Sequence, residues 1–200
     1  MAKSYNTSEQ YKGVTMETFL IVAGLILLSI VFMYNTLISK KNQVENIFAG
    51  LDAILKKRYD LLPNLVASVK EYMVHERITL EKITELRTKA LGENLDNATK
   101  IALEKQLSSM LGNLMVAVEN YPTLKANENF LHLQGTLNEL EEQISAARRA
   151  YNQSVTDYNN AIEMFPTNFM ANLMKLERKE VFSVPSSERA NVDVKNLFKN

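Results

Sequence analysis

The 200-residue chain has no cysteine and no tryptophan, and only two histidines, four prolines and six glycines. Without cysteine there are no disulfides, thiolate metal sites or thiol nucleophiles, and no cysteine to carry a lipid, so any attachment to a membrane must come from the peptide itself. So few glycines and prolines leave little of the turn chemistry that a many-stranded protein needs. The abundance of Leu, Ala, Glu, Lys, Asn and Gln favours helix instead. Charge of one sign is missing too: 23 basic and 23 acidic residues cancel. No field draws in nucleic acid and no basic run is interleaved with aromatics, so nucleic acid is not expected as a partner.

What the sequence does have is one long apolar run. No charge falls between Thr18 and Ser39, and Phe19, Leu20, Ile21, Leu25, Ile26, Leu27, Leu28, Ile30, Val31 and Phe32 make up its body. About 20 helical residues cross a hydrocarbon core of roughly 30 Å. The apolar part of a secretory signal is about 7–15 residues and ends at a small-residue cleavage site. Here the run continues through Tyr34-Asn35-Thr36-Leu37-Ile38 to Lys40-Lys41. It therefore predicts an uncleaved membrane helix over residues 18–39, with the lipid bilayer as a partner. Lys3 and Lys12, with Glu9 and Glu17, precede it; Lys40, Lys41, Lys56, Lys57 and Arg58 follow. The excess of basic residues after the run places the polar tail, residues 1–17, outside and the main domain in the cytoplasm.

Beyond the anchor, Pro63, Pro122, Pro166 and Pro185 divide the chain into sections. Val44, Phe48, Leu51 and Leu55 share one helical face that continues the anchor out of the membrane. A second section, Leu62 to Leu91, carries Leu62, Val66, Val69, Met73, Leu80 and Ile83 and stops at Gly92, the residue suited to a helix C-terminus. The pattern leaves open whether Pro63 makes a turn or a kink. A third helix starts with Asp96 or Asn97 as its cap and presents Leu103, Leu107, Met110, Leu114 and Val118. In the fourth, Phe130, Leu133, Leu137, Leu140, Ile144, Ala147, Tyr151, Tyr158, Ile162 and Phe165 form a coiled-coil-like seam. Short connections between four amphipathic helices predict an all-α fold, an antiparallel four-helix bundle over residues 40–182. It closes with a short helix over about 168–182 and an extended tail, 183–200, lying on this bundle or on a neighbour.

Ordered motifs at both ends of the domain give a family resemblance. Tyr34-Asn35, Lys41-Asn42-Gln43-Val44-Glu45, Lys56 through Val66, Lys70-Glu71-Tyr72 and His75-Glu76 are followed by Ala147-Arg148-Arg149-x-Tyr151-Asn152, Tyr158-Asn159, Ile162 and Phe165-Pro166-x-Asn168. Over residues 34–182 the chain resembles the LemA family of bacterial membrane proteins. The resemblance implies a short outer tail, one membrane helix in the bacterial inner membrane and a bundle of long helices, with no established enzymatic activity. Tyr59 stands where a histidine is common in that motif, and the tail after Val181 is only loosely similar.

Several constellations remain to be weighed. Glu71 and His75 share a helical face, but the other histidine is His132 and no paired-histidine spacing occurs, so neither a metal nor another cofactor is expected. Glu76 and Arg87 interrupt the apolar stripe of the second section, either as a polar layer fixing register or as a partner contact. Lys56, Lys57 and Arg58 form the densest basic cluster, fit for a solvated face or an inter-subunit ion pair. Asn152 and Asn159 each follow a tyrosine and lie seven apart, either beside core tyrosines or as an amide-lined surface for another helix. No nucleophile triad or phosphate loop occurs, and enzymatic activity is not expected. Two functions fit: a membrane-anchored scaffold that self-associates into a homo-oligomeric envelope assembly, or a regulatory or signalling module that binds other membrane proteins.

Overall fold

The computed structural model describes residues 7–182, with side chains from Met16 onward. The described residues form helices without any strand. In order these are α1 (Thr7–Lys70), a single 3-10 turn (Val74–Glu76), α2 (Arg77–Ala90), α3 (Asn97–Val118), α4 (Pro122–Lys125), α5 (Glu128–Glu163) and α6 (Thr167–Leu173).

Helix α1 owes its first half to the apolar run. Every residue from Met16 to Phe32 is exposed, Phe19 to 70% and Phe32 to 73%. A helix apolar all round is covered by protein or by lipid, and here no protein covers it. Among the described residues, α1 is a helix long and apolar enough to cross a membrane.

Pro63 lies inside α1, which runs on unbroken to Lys70. Of the turn and the kink left open at Pro63 there is no turn; the chain turns after Lys70, where the Tyr72 and Met73 amides both donate to the Val69 carbonyl and the 3-10 turn follows. The section expected to begin at Leu62 is therefore the end of α1 followed by α2. Proline offers no N–H to the carbonyl four residues earlier, which is that of Tyr59. Arg87, from α2, fills the place: its Nε donates to the Tyr59 carbonyl at 2.7 Å.

The other helix ends have local causes. Asp96 caps α3, its side chain accepting from the Thr99 amide at 2.6 Å, a bond that lowers the Asp96 pKa. Asn127 does the same for α5 through the Phe130 amide. Gly92 follows α2, but its φ is not positive. A Cβ there would stand 3.0 Å from the Lys89 carbonyl oxygen, so close approach is what asks for glycine. Helix α6 stops at Leu173, nine residues short of the expectation. Lys175 turns left-handed (φ 52°), and the amides of Lys175 and Leu176 donate to the carbonyls of Asn172 and Ala171. This is a Schellman close with lysine in the usual glycine position.

The chain divides into two compact units. One joins the residues through Val44 to Thr156–Lys179; Leu37, Val44, Tyr158, Ile162 and Ala171 are buried in it. Lys40 bonds Asp157 there at 3.1 Å. The other joins Glu45–Val155 to the residues from Glu180. Its core takes Phe48, Leu51, Leu55, Leu62 and Val69 from α1, Leu80, Ile83 and Leu86 from α2, Leu107, Leu111 and Leu114 from α3, and Phe130, Leu140, Ile144 and Tyr151 from α5. Within this second unit Phe48 meets Tyr151, Arg58 meets Glu141 and Tyr72 meets Asn127, so α1 and α5 run in opposite directions.

Candidate functional site

The inward face of α3 repeats at alternating steps of three and four: 104, 107, 111, 114, 118. Four of these are Leu107, Leu111, Leu114 and Val118, and the first is Glu104, fully buried at 0% exposure. A buried carboxylate needs charge partners and hydrogen bonds, and three helices supply them. Arg58 from α1, itself 2% exposed, and Arg148 from α5 both donate to Glu104 Oε1. Ser108 adds a bond at 2.9 Å, and the Tyr59 hydroxyl donates to Oε2 at 2.8 Å. Glu141 closes the group by accepting from Arg58 at 2.5 Å. Burial, and then the charge of Glu104, push the Tyr59 phenol far above the ordinary tyrosine range.

Over this layer, and in the same unit, lies a cleft of about 700 Å³. Among the described residues, Arg58, Lys105, Arg148 and Arg149 line it against the single acid Glu141, with Phe182 on one side. The Nε atoms of Arg58 and Arg148 are buried without a hydrogen-bond partner. The cleft's electrostatics favour an anionic or acidic group. Lys56, Lys57 and Arg58 form one cluster in the sequence, but the helix separates them. Lys56 pairs with Asp60 on the surface, Lys57 is exposed, and only Arg58 turns inward. The sequence marks Arg148 only as part of the α5 motif and does not mark Glu104. The signal was the 3-4-3-4 spacing that places Glu104 in line with Leu107 and Leu111.

The two Tyr-Asn steps of α5 share another task. Asn152 accepts from the Phe182 amide at 2.7 Å and donates to the Phe182 carbonyl at 2.9 Å, so its carboxamide pairs with that residue's backbone as a neighbouring strand would. Tyr151 donates to the Glu180 carbonyl at 3.3 Å, and its ring packs edge-on against Phe48 and Phe182. In the other unit Asn159 grips Lys179 in the same two-point way, at 3.0 Å each, and Tyr158 donates to the Glu177 carbonyl at 3.1 Å. Seven helical residues rise about 10 Å and three extended residues about as much. A Tyr-Asn step repeated at seven therefore serves backbone groups repeated at three.

The remaining residues singled out from sequence are placed as follows. Glu76 is half-buried and lies 3.4 Å from the Thr79 hydroxyl, Arg87 serves Tyr59 as above, and no ion pair joins the two. Among the described residues no three His, Asp or Glu side chains converge as metal ligands would. The apolar residues from Phe19 to Phe32 all stand exposed on α1.

Comparison with known proteins agrees with these motifs. The description of the LemA family matches residues 47–196. Protein LemA of Metamycoplasma hominis is 30% identical over 179 residues, covering 90% of this chain and 82% of the relative. The magnetosome protein MamQ 2 of Paramagnetospirillum magneticum is 22% identical over 195 residues, 85% of this chain and 72% of the relative. MamQ of Magnetospirillum gryphiswaldense is 30% identical over 94 residues, 47% of this chain and 35% of the relative. Basic and aromatic motifs on α1 and α5, an all-helical fold and a family match across three quarters of its length agree: the chain belongs to the LemA family.

Proposed function

We propose that the protein is a non-enzymatic scaffold, anchored by α1 as a single pass through the bacterial inner membrane. Its helices form an antiparallel four-helix bundle on the cytoplasmic side, and copies associate into a homo-oligomeric envelope assembly. The observation that carries this reading is the asparagine clamp. Asn152 and Asn159 hold an extended segment by its backbone atoms, and a surface that binds backbone can accept the same segment from a second copy. Neither the LemA name nor the magnetosome-protein name of the relatives denotes an enzyme, which supports the non-catalytic reading.

Mass photometry or cryo-microscopy of protein extracted in native-membrane particles tests it. Large symmetric particles of this chain alone are the expected result; a uniform monomer carrying a foreign protein overturns it. Replacing Asn152 and Asn159 by alanine should shrink the particles without loss of helicity, and unchanged size would remove the clamp from assembly. Protease access in intact cells checks the orientation, which fails if the bundle is cut from outside.

A second reading, a regulatory module that binds a partner, is favoured by the basic cleft above Glu104. Retention of an acidic partner by the wild type, lost on Arg149→Glu, is the outcome that would favour it.

A further inference from the structure

The seam of α5 was expected to end at Phe165, yet its last buried residue is Ile162. Beyond it Met164, Phe165, Phe169 and Leu173 stand 62%, 79%, 69% and 78% exposed. The rings of Phe165 and Phe169 touch edge to face, 6.1 Å between centroids, and Leu173 follows Phe169 by one turn of α6. Four large apolar side chains gathered at one end of a helix mark a surface meant to be covered.

Geometry inside this one unit tells what covers it. Lys40 of α1 and Asp157 of α5 are bonded at 3.1 Å. The unit combines α5 beyond Thr156 with α1 before Glu45, so from that pair α5 advances toward the apolar run. Six residues carry it to its end at Glu163, a rise of about 9 Å. Six residues back from Lys40 lies Tyr34, inside the uncharged stretch from Thr18 to Ser39. Burial on α1 agrees: Leu37 is sealed, Met33 half-buried, and nothing from Met16 to Phe32 is covered. Protein packing on α1 thus ends at Met33, inside the uncharged stretch, and the exposed cluster stands at about that height. Lys175 is exposed close by in sequence, and Arg178 is ion-paired with Glu163 at the end of α5. Aromatic and aliphatic side chains beside a lysine and an arginine ion pair suit the boundary between headgroups and acyl chains.

We propose that Met164, Phe165, Phe169 and Leu173 form an interfacial foot that beds in the headgroup region of the bilayer beside the exit of α1. The proposal rests on the reading of α1 as a membrane span. Span and foot together give the unit two points of attachment, which restrict its tilt and its rotation about α1.

The absence of tryptophan makes single reporters clean. Full-length F169W, L27W and V116W variants would be reconstituted into phosphatidylcholine vesicles whose lipids carry bromine either high or low on the acyl chain. L173W serves as a second reporter of the foot. The two foot reporters should show blue-shifted emission and be quenched several-fold more by shallow than by deep bromine. L27W should show the reverse preference, and V116W, on the exposed face of α3, no quenching by either. Unquenched foot reporters beside a quenched L27W would overturn the foot while leaving the span intact, whether solvent or a second copy covers the patch. An unquenched L27W would overturn the span reading, and the foot with it.

Discussion

Arg87 supplies from α2 the hydrogen bond that Pro63 denies its own helix. The Tyr59 carbonyl would ordinarily accept from residue 63; it accepts from Arg87 Nε at 2.7 Å instead. A proline inside a helix is thereby tolerated, and α1 stays continuous to Lys70.

Removing Arg87 should therefore hurt only while the proline is present. Arg87→Met is expected to cost about 1–3 kcal/mol, the penalty of a polar group left unsatisfied. In a Pro63→Ala background residue 63 regains its N–H, and the same substitution should cost distinctly less. Denaturant unfolding of the four variants in detergent measures the coupling. Equal costs in both backgrounds would refute the relationship.

Glu104 and Glu141 both accept from Arg58 but differ in burial, 0% against 49% exposed side chains. Glu104→Gln leaves two arginines facing a neutral amide and should destabilise by about 3–5 kcal/mol. Glu141→Gln, with solvent at hand, should cost no more than about 1 kcal/mol. Similar losses at the two positions would mean that burial is not what distinguishes them.

Tyr59 gives an alkaline signature. A free tyrosine ionises near pH 10, whereas Tyr59 in the fold ionises far above that, chiefly through burial. Below about pH 10 the phenol is neutral folded and unfolded, so it adds no pH dependence. Above about pH 10 the unfolded chain releases a proton that the fold retains, and stability falls by up to about 1.4 kcal/mol per pH unit. Tyr59→Phe should remove that fall above about pH 10 and leave the stretch near pH 9 almost unchanged in unfolding curves from pH 9 to 11. Parallel curves would count against a buried neutral phenol.

The asparagine clamp can be cut one bond at a time. Asn152→Asp keeps the acceptor for the Phe182 amide and loses the donor to its carbonyl, whereas Asn152→Ala loses both. Hydrogen exchange at the Phe182 amide should remain slow in the first and become fast in the second. Fast exchange in both, or in neither, would contradict the two-point pairing.

Periodicity made most of the helices readable, because an apolar residue every three or four positions has one interpretation. The apolar run, the Asp96 cap and the seam of α5 through Ile162 followed directly. Pro63 left turn and kink open, because the residue that compensates for it lies 24 positions away on another helix. Glu104 is masked in the sequence by its neighbour Leu103, which fits an apolar stripe one residue off the inward register. Asn152 and Asn159 were conspicuous as poor helix formers on one face, but only the extended backbone at Lys179 and Phe182 explains them. Each of these depends on a contact distant in sequence, which local pattern does not carry.

Because the clamps reach main-chain atoms, the strap they hold can drift in sequence without losing its seat. Substitutions at Glu177 or Glu180 leave carbonyls and amides where they were, whereas Lys179, which lies over the Tyr158 ring, and Phe182, which packs on Tyr151, are under tighter restraint. Selection then acts on the two asparagines of the helix and spares most of the segment they hold. Related chains should differ more along the strap than along the face of α5 beneath it.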